Sequence, residues 1–234
     1  MGDNMKVAIL CGGKGTRFQP MAESIPKPMA KIGEMPILEH IMRIYAHSGY
    51  DEFVLLLGHR GGVIVDYFTE THPDWDIKFK FTGVNAQTGE RIFKARNLLG
   101  DTFFLTYGDG LADINLKEEL KFHQNHDGIG TMTIIPMPSP FGVVSLDGNK
   151  VKNFVEKPLL TEHWINGGFF TFDSEVFDYK GRDLEKDILP ALAKKGLLYA
   201  YKHAGFWRCM DHYKDYTQLN ELWKNGNAKW VVWK

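Results

Sequence analysis

The residues of this 234-residue chain that could do chemistry sit in a few short stretches. In Cys11-Gly12-Gly13-Lys14-Gly15-Thr16-Arg17, three glycines, a hydroxyl and two cations occupy seven positions. Glycines let backbone amides turn inward around a phosphate, and an arginine offers its oxygens a two-pronged fork. The stretch is not a Walker loop, which needs four residues between its first glycine and Gly-Lys-Ser/Thr. Nor is it a dinucleotide fingerprint, because Phe18 stands where a third glycine belongs. On its own it also reads as a tight strand-to-helix turn with a surface arginine. Lys27 follows, set between Pro26 and Pro28, whose rings fix φ and hold the lysine in an extended loop at low entropic cost. A stiffened lysine beside a glycine-rich loop with an arginine makes a two-point cation clamp for a polyphosphate. Two acids stand out as well. Asp109 lies between glycines in Tyr107-Gly108-Asp109-Gly110, and Asp211 precedes the last helical pattern. As bare features these are equally a turn former and an N-cap.

The elements that must position them follow from periodicity. Strands are predicted over 5–10, 52–58, 77–82 and 102–107, alternating with helices over 36–49, 61–70 and 89–100. That alternation implies βαβ crossovers and an α/β fold: a Rossmann-like, mainly parallel central sheet flanked by helices. Ligands of such sheets sit at the carboxyl ends of strands, and both the glycine-rich loop and the Asp109 loop fall there. The second half is less regular and implies a smaller mixed β region. Strands are predicted over 129–137, 141–146, 150–157, 165–172 and 197–203, with turns at Asp147-Gly148 and Gly167-Gly168. Helices are predicted over 183–196, with a break or kink at Pro190, and over 213–226, closed by Gly226. The expectation is one domain over 1–234, with residues 1–115 mainly for nucleotide and 116–234 mainly for acceptor.

Net charge is -1 and no basic stripe occurs, so nucleic acid is not expected as a partner. No apolar run approaches the ~20 residues of a membrane span. The first residues carry no signal-peptide or myristoylation pattern, and Cys11 and Cys209 suggest no disulfide framework. A cytoplasmic protein in a reduced setting is the expectation.

Gly-Gly-x-Gly-Thr-Arg followed by Pro-Lys-Pro-Met resembles the signature of the sugar nucleotidyltransferases. The likeness continues through LTYGDGLADINL, FVEKP, WINGGFF, GFWRCMD and the ending ELWKNGNAKWVVW. It covers almost the whole chain and leans toward the cytidylyltransferases that act on glucose 1-phosphate. The reaction this implies is attack by an acceptor phosphate on the α-phosphorus of CTP, giving a CDP-sugar for polysaccharide building and pyrophosphate. With anionic attacker and leaving group, the protein must neutralise charge and align oxygens; no covalent nucleophile is needed.

The resemblance further implies Mg²⁺ as cofactor, held by Asp109 and Asp211, since magnesium takes carboxylates and keeps room for water and phosphate. It implies that Gly12, Gly13, Gly15, Thr16 and Gly108 cradle the nucleotide, with Arg17 on the β- and γ-phosphates and Lys27 at the α-phosphorus. Arg91 matches a nucleotide-contacting arginine. Lys157 would take the acceptor phosphate, with Glu156, Asn166 and Gly167 near its sugar. A homo-oligomer is compatible with this. The chain is shorter than that pattern between Tyr67 and Thr88 and after Pro158. Two alternatives stay open: a different phosphorylated acceptor, and a catalytically silent nucleotide-binding subunit.

Other features have plainer readings. His123 and His126 read as a surface pair, since no third ligand completes a zinc site. Trp223, Trp230 and Trp233 read as docking groups, and Cys11 as small-residue packing. Asp113 is either a site residue or the cap of a helix starting near Leu116.

Overall fold

The structure is a computed structural model that describes residues 5–18 and 25–233; the side chain of Arg17 and the residues at 1–4, 19–24 and 234 lie outside the described residues. Among the described residues thirteen strands run in chain order. They are β1 (Lys6–Leu10), β2 (Lys31–Ile32), β3 (Met35–Pro36), β4 (Glu52–Leu57), β5 (Asp76–Phe81), β6 (Thr102–Tyr107) and β7 (Gly110–Ala112). The second half adds β8 (Gly130–Pro138), β9 (Val143–Asp147), β10 (Lys150–Val155), β11 (Leu159–Asp173), β12 (Leu198–Lys202) and β13 (Trp207–Cys209). The α-helices are α1 (Ile37–His47), α2 (Gly61–Thr71), α3 (Thr88–Ala95), α4 (Leu116–His123), α5 (Leu189–Lys194) and α6 (Tyr213–Lys224).

Seven strands form the central sheet in the order β12-β8-β11-β6-β1-β4-β5. Pairs β5·β4, β4·β1, β1·β6 and β8·β12 are parallel, while β11 runs antiparallel to both β6 and β8. β1 explains the layering. Val7 and Ile9 face one core with Ile41, Phe68 and Trp230. Ala8 and Leu10 face the other, with Ile92, Phe172 and Leu192. A strand covered on both faces must be apolar throughout, which is why its sequence shows no alternation.

Four expectations need correction. Gly167 and Gly168 do not form a turn; they lie inside β11, where the register slips between Asn166 and Phe170. Gly168 adopts φ +80, and a Cβ there would meet the Tyr107 ring at 2.7 Å, so the glycine serves a bulge and a close approach. Asp113 does not cap α4; the Asn115 side chain does, accepting from the Glu118 amide. Asp113 instead accepts from the Phe206 amide at 2.7 Å. His123 is buried, with Nδ1 2.9 Å from Thr131 Oγ1 and Nε2 3.2 Å from Asp173. The helix expected over 183–196 opens as a single π turn at Leu184–Ile188 before α5, whose first turn holds Pro190, where no backbone donor is needed.

Helix α4 buries Glu119 completely, with Thr171 Oγ1 donating to its Oε1 at 3.4 Å. Its Oε2, Tyr45 Oη and Thr133 Oγ1 have no hydrogen-bond partner among the described residues. Burial pushes the Glu119 carboxyl up to about 8. A folded-state value above the unfolded one means stability is full below the unfolded value and is lost as pH rises toward about 8. The expected slope is about 1.4 kcal/mol per pH unit from this group. Melts of Glu119→Gln from pH 5 to 8.5 should lose that slope relative to wild type; parallel curves would contradict it.

Candidate functional site

β1 ends at Leu10, and its neighbours β4 and β6 end level with it, so three loops meet at one edge. There a cavity of about 450 Å³ opens, lined by Gly12, Gly13, Gly15, Thr16, Lys27, Arg91, Gly108, Asp109 and Asp211 together with residues from 86–88, 107 and 183–185. Among the described residues the amides of Gly13 and Gly15 take no backbone acceptor, and Gly15 has φ +63. Amides without a backbone acceptor in residues that line a cavity suit an anion. The Arg17 backbone lies in a 3₁₀ turn over Thr16–Phe18, and Phe18 is fully buried.

Arg91 lies under this loop and is almost fully buried. Its guanidinium donates to Gly12 O at 2.9 Å, Leu57 O at 3.2 Å, Gly83 O at 3.0 Å and Thr82 Oγ1 at 2.5 Å. It therefore staples the ends of β1, β4 and β5 to one another and sets the height of the glycine loop. The glycines it passes have no room for a side chain. A Cβ on Gly12 would come 2.1 Å from Arg91 Nη1, whereas a Cβ on Gly13 meets nothing within 4 Å. Gly12→Ala is accordingly expected to lower Tm by about 5 °C or more, through overpacking of about 1–3 kcal/mol. Gly13→Ala should leave Tm unchanged while weakening nucleotide binding, because its methyl enters the cavity. Thermal melts and titration calorimetry check both; equal melting of the two variants would contradict the packing argument.

Lys27 comes from the 3₁₀ turn Lys27–Met29, introduced by Pro26. Its Nζ donates to Asp109 Oδ2 at 2.6 Å and Asp211 Oδ1 at 2.9 Å. The three side chains are only 13%, 27% and 29% exposed, so screening by water is partial. Burial alone would push the Lys27 ammonium down, but the two carboxylates outweigh it and hold it above the usual lysine value. Two devices join the distant parts of the chain. β7 pairs antiparallel with β13, placing Gly110 opposite Cys209, and the Met210 amide donates to Asp109 O at 2.9 Å. Asp109 and Asp211 thus flank one short ladder. Helix α6, which follows Asp211, packs on the β2–β3 hairpin, where Asn220 accepts from the Gly33 amide at 3.0 Å and donates to Lys31 O at 3.2 Å. His40 braces the same hairpin. Trp230 Nε1 donates to its Nδ1, which leaves Nε2–H to donate to Ile32 O at 2.9 Å. His212, not Asp211, is the cap of α6.

The acceptor-side residues divide. Neither Asn166 nor Gly167 lines the cavity, though Asn166 touches its wall: Asn166 Oδ1 accepts from the Gly168 amide at 2.7 Å and its Nδ2 lies 3.4 Å from Tyr107 Oη, while Gly167 O accepts from Trp207 Nε1 at 2.7 Å. Glu156 and Lys157 are not brought into the cavity. They follow the exposed β9–β10 ribbon, pair with each other at 3.4 Å and remain more than half exposed. Lys157 adopts φ +47, an uncommon conformation for a non-glycine residue.

A profile of the nucleotidyl transferases matches residues 6–225. The chain belongs to the nucleotidyl transferase family. Among curated relatives of this nucleotidyl transferase, a probable glucose-1-phosphate cytidylyltransferase of Bacillus subtilis is 42% identical over 255 residues, covering 98% of this chain and all of that protein. The glucose-1-phosphate cytidylyltransferase of Salmonella typhi is 35% identical over 98% of this chain and the whole of its own length. The 255 aligned positions exceed the 234 residues of the chain, so the Bacillus protein carries segments that are missing here. In fold the chain is similar to a UDP-glucose pyrophosphorylase solved with UDP-glucose (TM-score 0.75, 18% identity, 96% of this chain and 100% of that one). It is likewise similar to HddC from Yersinia pseudotuberculosis (TM-score 0.73, 24% identity, 94% and 99%).

Sequence reasoning missed part of the wall of this nucleotidyl transferase cavity. Thr88 Oγ1 donates to Glu185 Oε2 at 2.8 Å, and Tyr107 Oη donates to Glu185 Oε1. Each of these is an ordinary residue in its own stretch, and the only local signal is the π turn that carries Glu185, a form concentrated at functional sites. Among the described residues no three His, Cys, Asp or Glu side chains gather as a closed metal site. Asp109 and Asp211 are the pair able to hold a hard cation, and the Lys27 ammonium already shows that their oxygens converge on one positive centre.

Proposed function

We propose that this nucleotidyl transferase joins CTP to a sugar 1-phosphate, glucose 1-phosphate in the first instance, to give a CDP-sugar and pyrophosphate. An acceptor phosphate oxygen bonds to the α-phosphorus of CTP as the α–β anhydride bond breaks. The observation that carries the transfer chemistry is the convergence of Lys27, Asp109 and Asp211 beside the glycine loop. The choice of cytidine and glucose rests on the relatives, which match this chain along nearly its whole length.

In this reading Gly12, Gly13, Gly15, Thr16 and Gly108 shape the cradle for the triphosphate, and Arg17 meets its outer phosphates. Asp109 and Asp211 would hold Mg²⁺, for which one or two carboxylates completed by water and phosphate oxygens are a usual set. When bound, the ion supplies positive charge to the phosphates that carry the developing negative charge. Lys27 is already protonated and braced, so its charge acts on the transition state without reorganisation. The cytoplasm is the compartment proposed, since both substrates are charged and Cys11 and Cys209 are free thiols.

A pyrophosphate-release screen crossing four ribonucleoside triphosphates with several sugar 1-phosphates, with and without Mg²⁺, tests this. Release with CTP and glucose 1-phosphate that stops when the ion is chelated is the expected result. Release confined to another nucleotide would overturn the cytidylyl reading, and strong CTP use with a different acceptor would replace glucose alone.

A further inference from the structure

Besides Lys27, Asp109 and Asp211, the cavity has a second set of polar residues that the transfer chemistry leaves unused: Thr88, Tyr107, Asp183 and Glu185. Their carboxylates differ in what they are free to do. Asp183 Oδ1 is taken up as the cap of the π turn, accepting from the amides of Glu185 at 3.0 Å and Lys186 at 2.9 Å. That turn is pinned further by Thr88 Oγ1, which accepts from the Leu184 amide at 2.8 Å, and by Asp187 Oδ2, which accepts from the amides of Arg182 and Asp183. The Glu185 side chain projects from this fixed turn, remains exposed and borders the cavity. Thr88 donates to one of its oxygens and Tyr107 to the other, so its direction is set by two donors. Burial and the neighbouring carboxylate push the Tyr107 hydroxyl far above the ordinary tyrosine value, which keeps it a donor.

A carboxylate accepts about four hydrogen bonds and donates none, so Glu185 has acceptor capacity left facing the cavity. Phosphates are repelled from it, which leaves it to an uncharged part of a substrate, the base or a sugar. Cytosine presents an amine where uracil and thymine present a carbonyl oxygen. An amine satisfies a fixed carboxylate, whereas a carbonyl oxygen opposite it meets like partial charge.

We propose that Glu185 selects the base by accepting a hydrogen bond from the exocyclic amine of cytosine. This rests on the cytidylyl reading and adds the residue that discriminates. The test compares kcat/KM for CTP, UTP and the triphosphate of pyrimidin-2-one riboside, which has the cytosine ring without its amine. Wild type is expected to use the amine-free analogue about 10-fold or more less well than CTP, as sites built around a hydrogen bond reject partners lacking it. Glu185→Ala should lower CTP use toward that of the analogue and leave the analogue itself unchanged, closing the gap. Glu185→Gln, whose amide can donate, should raise UTP relative to CTP and serves if the alanine variant does not fold. Equal use of CTP and the analogue by wild type, or an equal loss for all three nucleotides in both variants, would overturn the assignment. Wild type that releases no pyrophosphate from CTP at all would be a failure of the cytidylyl reading instead.

Discussion

Lys27→Ala is expected to lower kcat by about 10³-fold while raising the Kd for CTP by less than about 10-fold. The asymmetry follows from where the ammonium sits. It lies within 2.9 Å of both carboxylates and is only 13% exposed, so its position is fixed before substrate arrives. In the proposed reading, ground-state phosphates would have the glycine amides and a magnesium ion to neutralise them. The extra charge that develops as the α–β bond breaks is what a fixed cation at this point stabilises, and interactions stronger in the transition state raise kcat rather than affinity. Removing the ammonium also leaves Asp109 and Asp211 facing each other. The comparison therefore belongs at saturating Mg²⁺, where the ion offsets their repulsion. Rapid-quench turnover and equilibrium titration with CTP separate the two quantities. A kcat equal to wild type would remove Lys27 from the chemistry.

Arg91→Ala is expected to lower Tm by about 10 °C and to abolish measurable activity. Four acceptors from three loops converge on this guanidinium, three of them backbone carbonyls. Gly12 O, Leu57 O and Gly83 O keep the amides of His59, Thr82 and Ala86 as donors, so what is lost is the charged bonds of the guanidinium, about 1.5–3 kcal/mol each. Some relaxation and water entry would reduce the sum to about 3–5 kcal/mol, and a domain of this size loses about 2–4 °C per kcal/mol. Arg91→Lys should rescue little, because a single ammonium cannot span carbonyls at the ends of three strands. Calorimetry on both variants checks this. A Tm within about 2 °C of wild type would show that the glycine loop is held by something else.

How much of this was legible before the structure varies with the range of the interaction. β1 and β4 could be read because strands buried on both faces are apolar throughout, and α1 because Ile37, Ile41, Ile44 and Tyr45 recur at helical spacing and are all buried. The two prolines mark Lys27 as locally restricted, but the lysine opens a 3₁₀ turn rather than lying in the extended loop expected, because only Pro26 keeps the extended conformation. Asp109 and Asp211 could be singled out by type, but their meeting depends on the β7·β13 ladder and on α6 packing against β2–β3, which no local pattern encodes. Arg91 was noticed as a nucleotide contact; its bonds to Gly12, Leu57 and Gly83 are tertiary and make it the brace of the loop. Gly167 and Gly168 misled because a glycine pair suits a turn and a bulge equally. Thr88, Tyr107 and Glu185 were missed since each acquires its role only from the other two. Glu156 and Lys157 carry a recognisable motif, yet the ribbon before them stays off the main sheet and leaves them exposed.

The most direct test of the central claim is a crystal structure of the protein with CTP and Mg²⁺. The triphosphate should lie on the amides of residues 12–16, with one ion bound jointly by Asp109 and Asp211 and the Lys27 ammonium, still beside those acids, within hydrogen-bond reach of a phosphate oxygen. An ion held by other residues, or a triphosphate bound away from Lys27, would contradict the account.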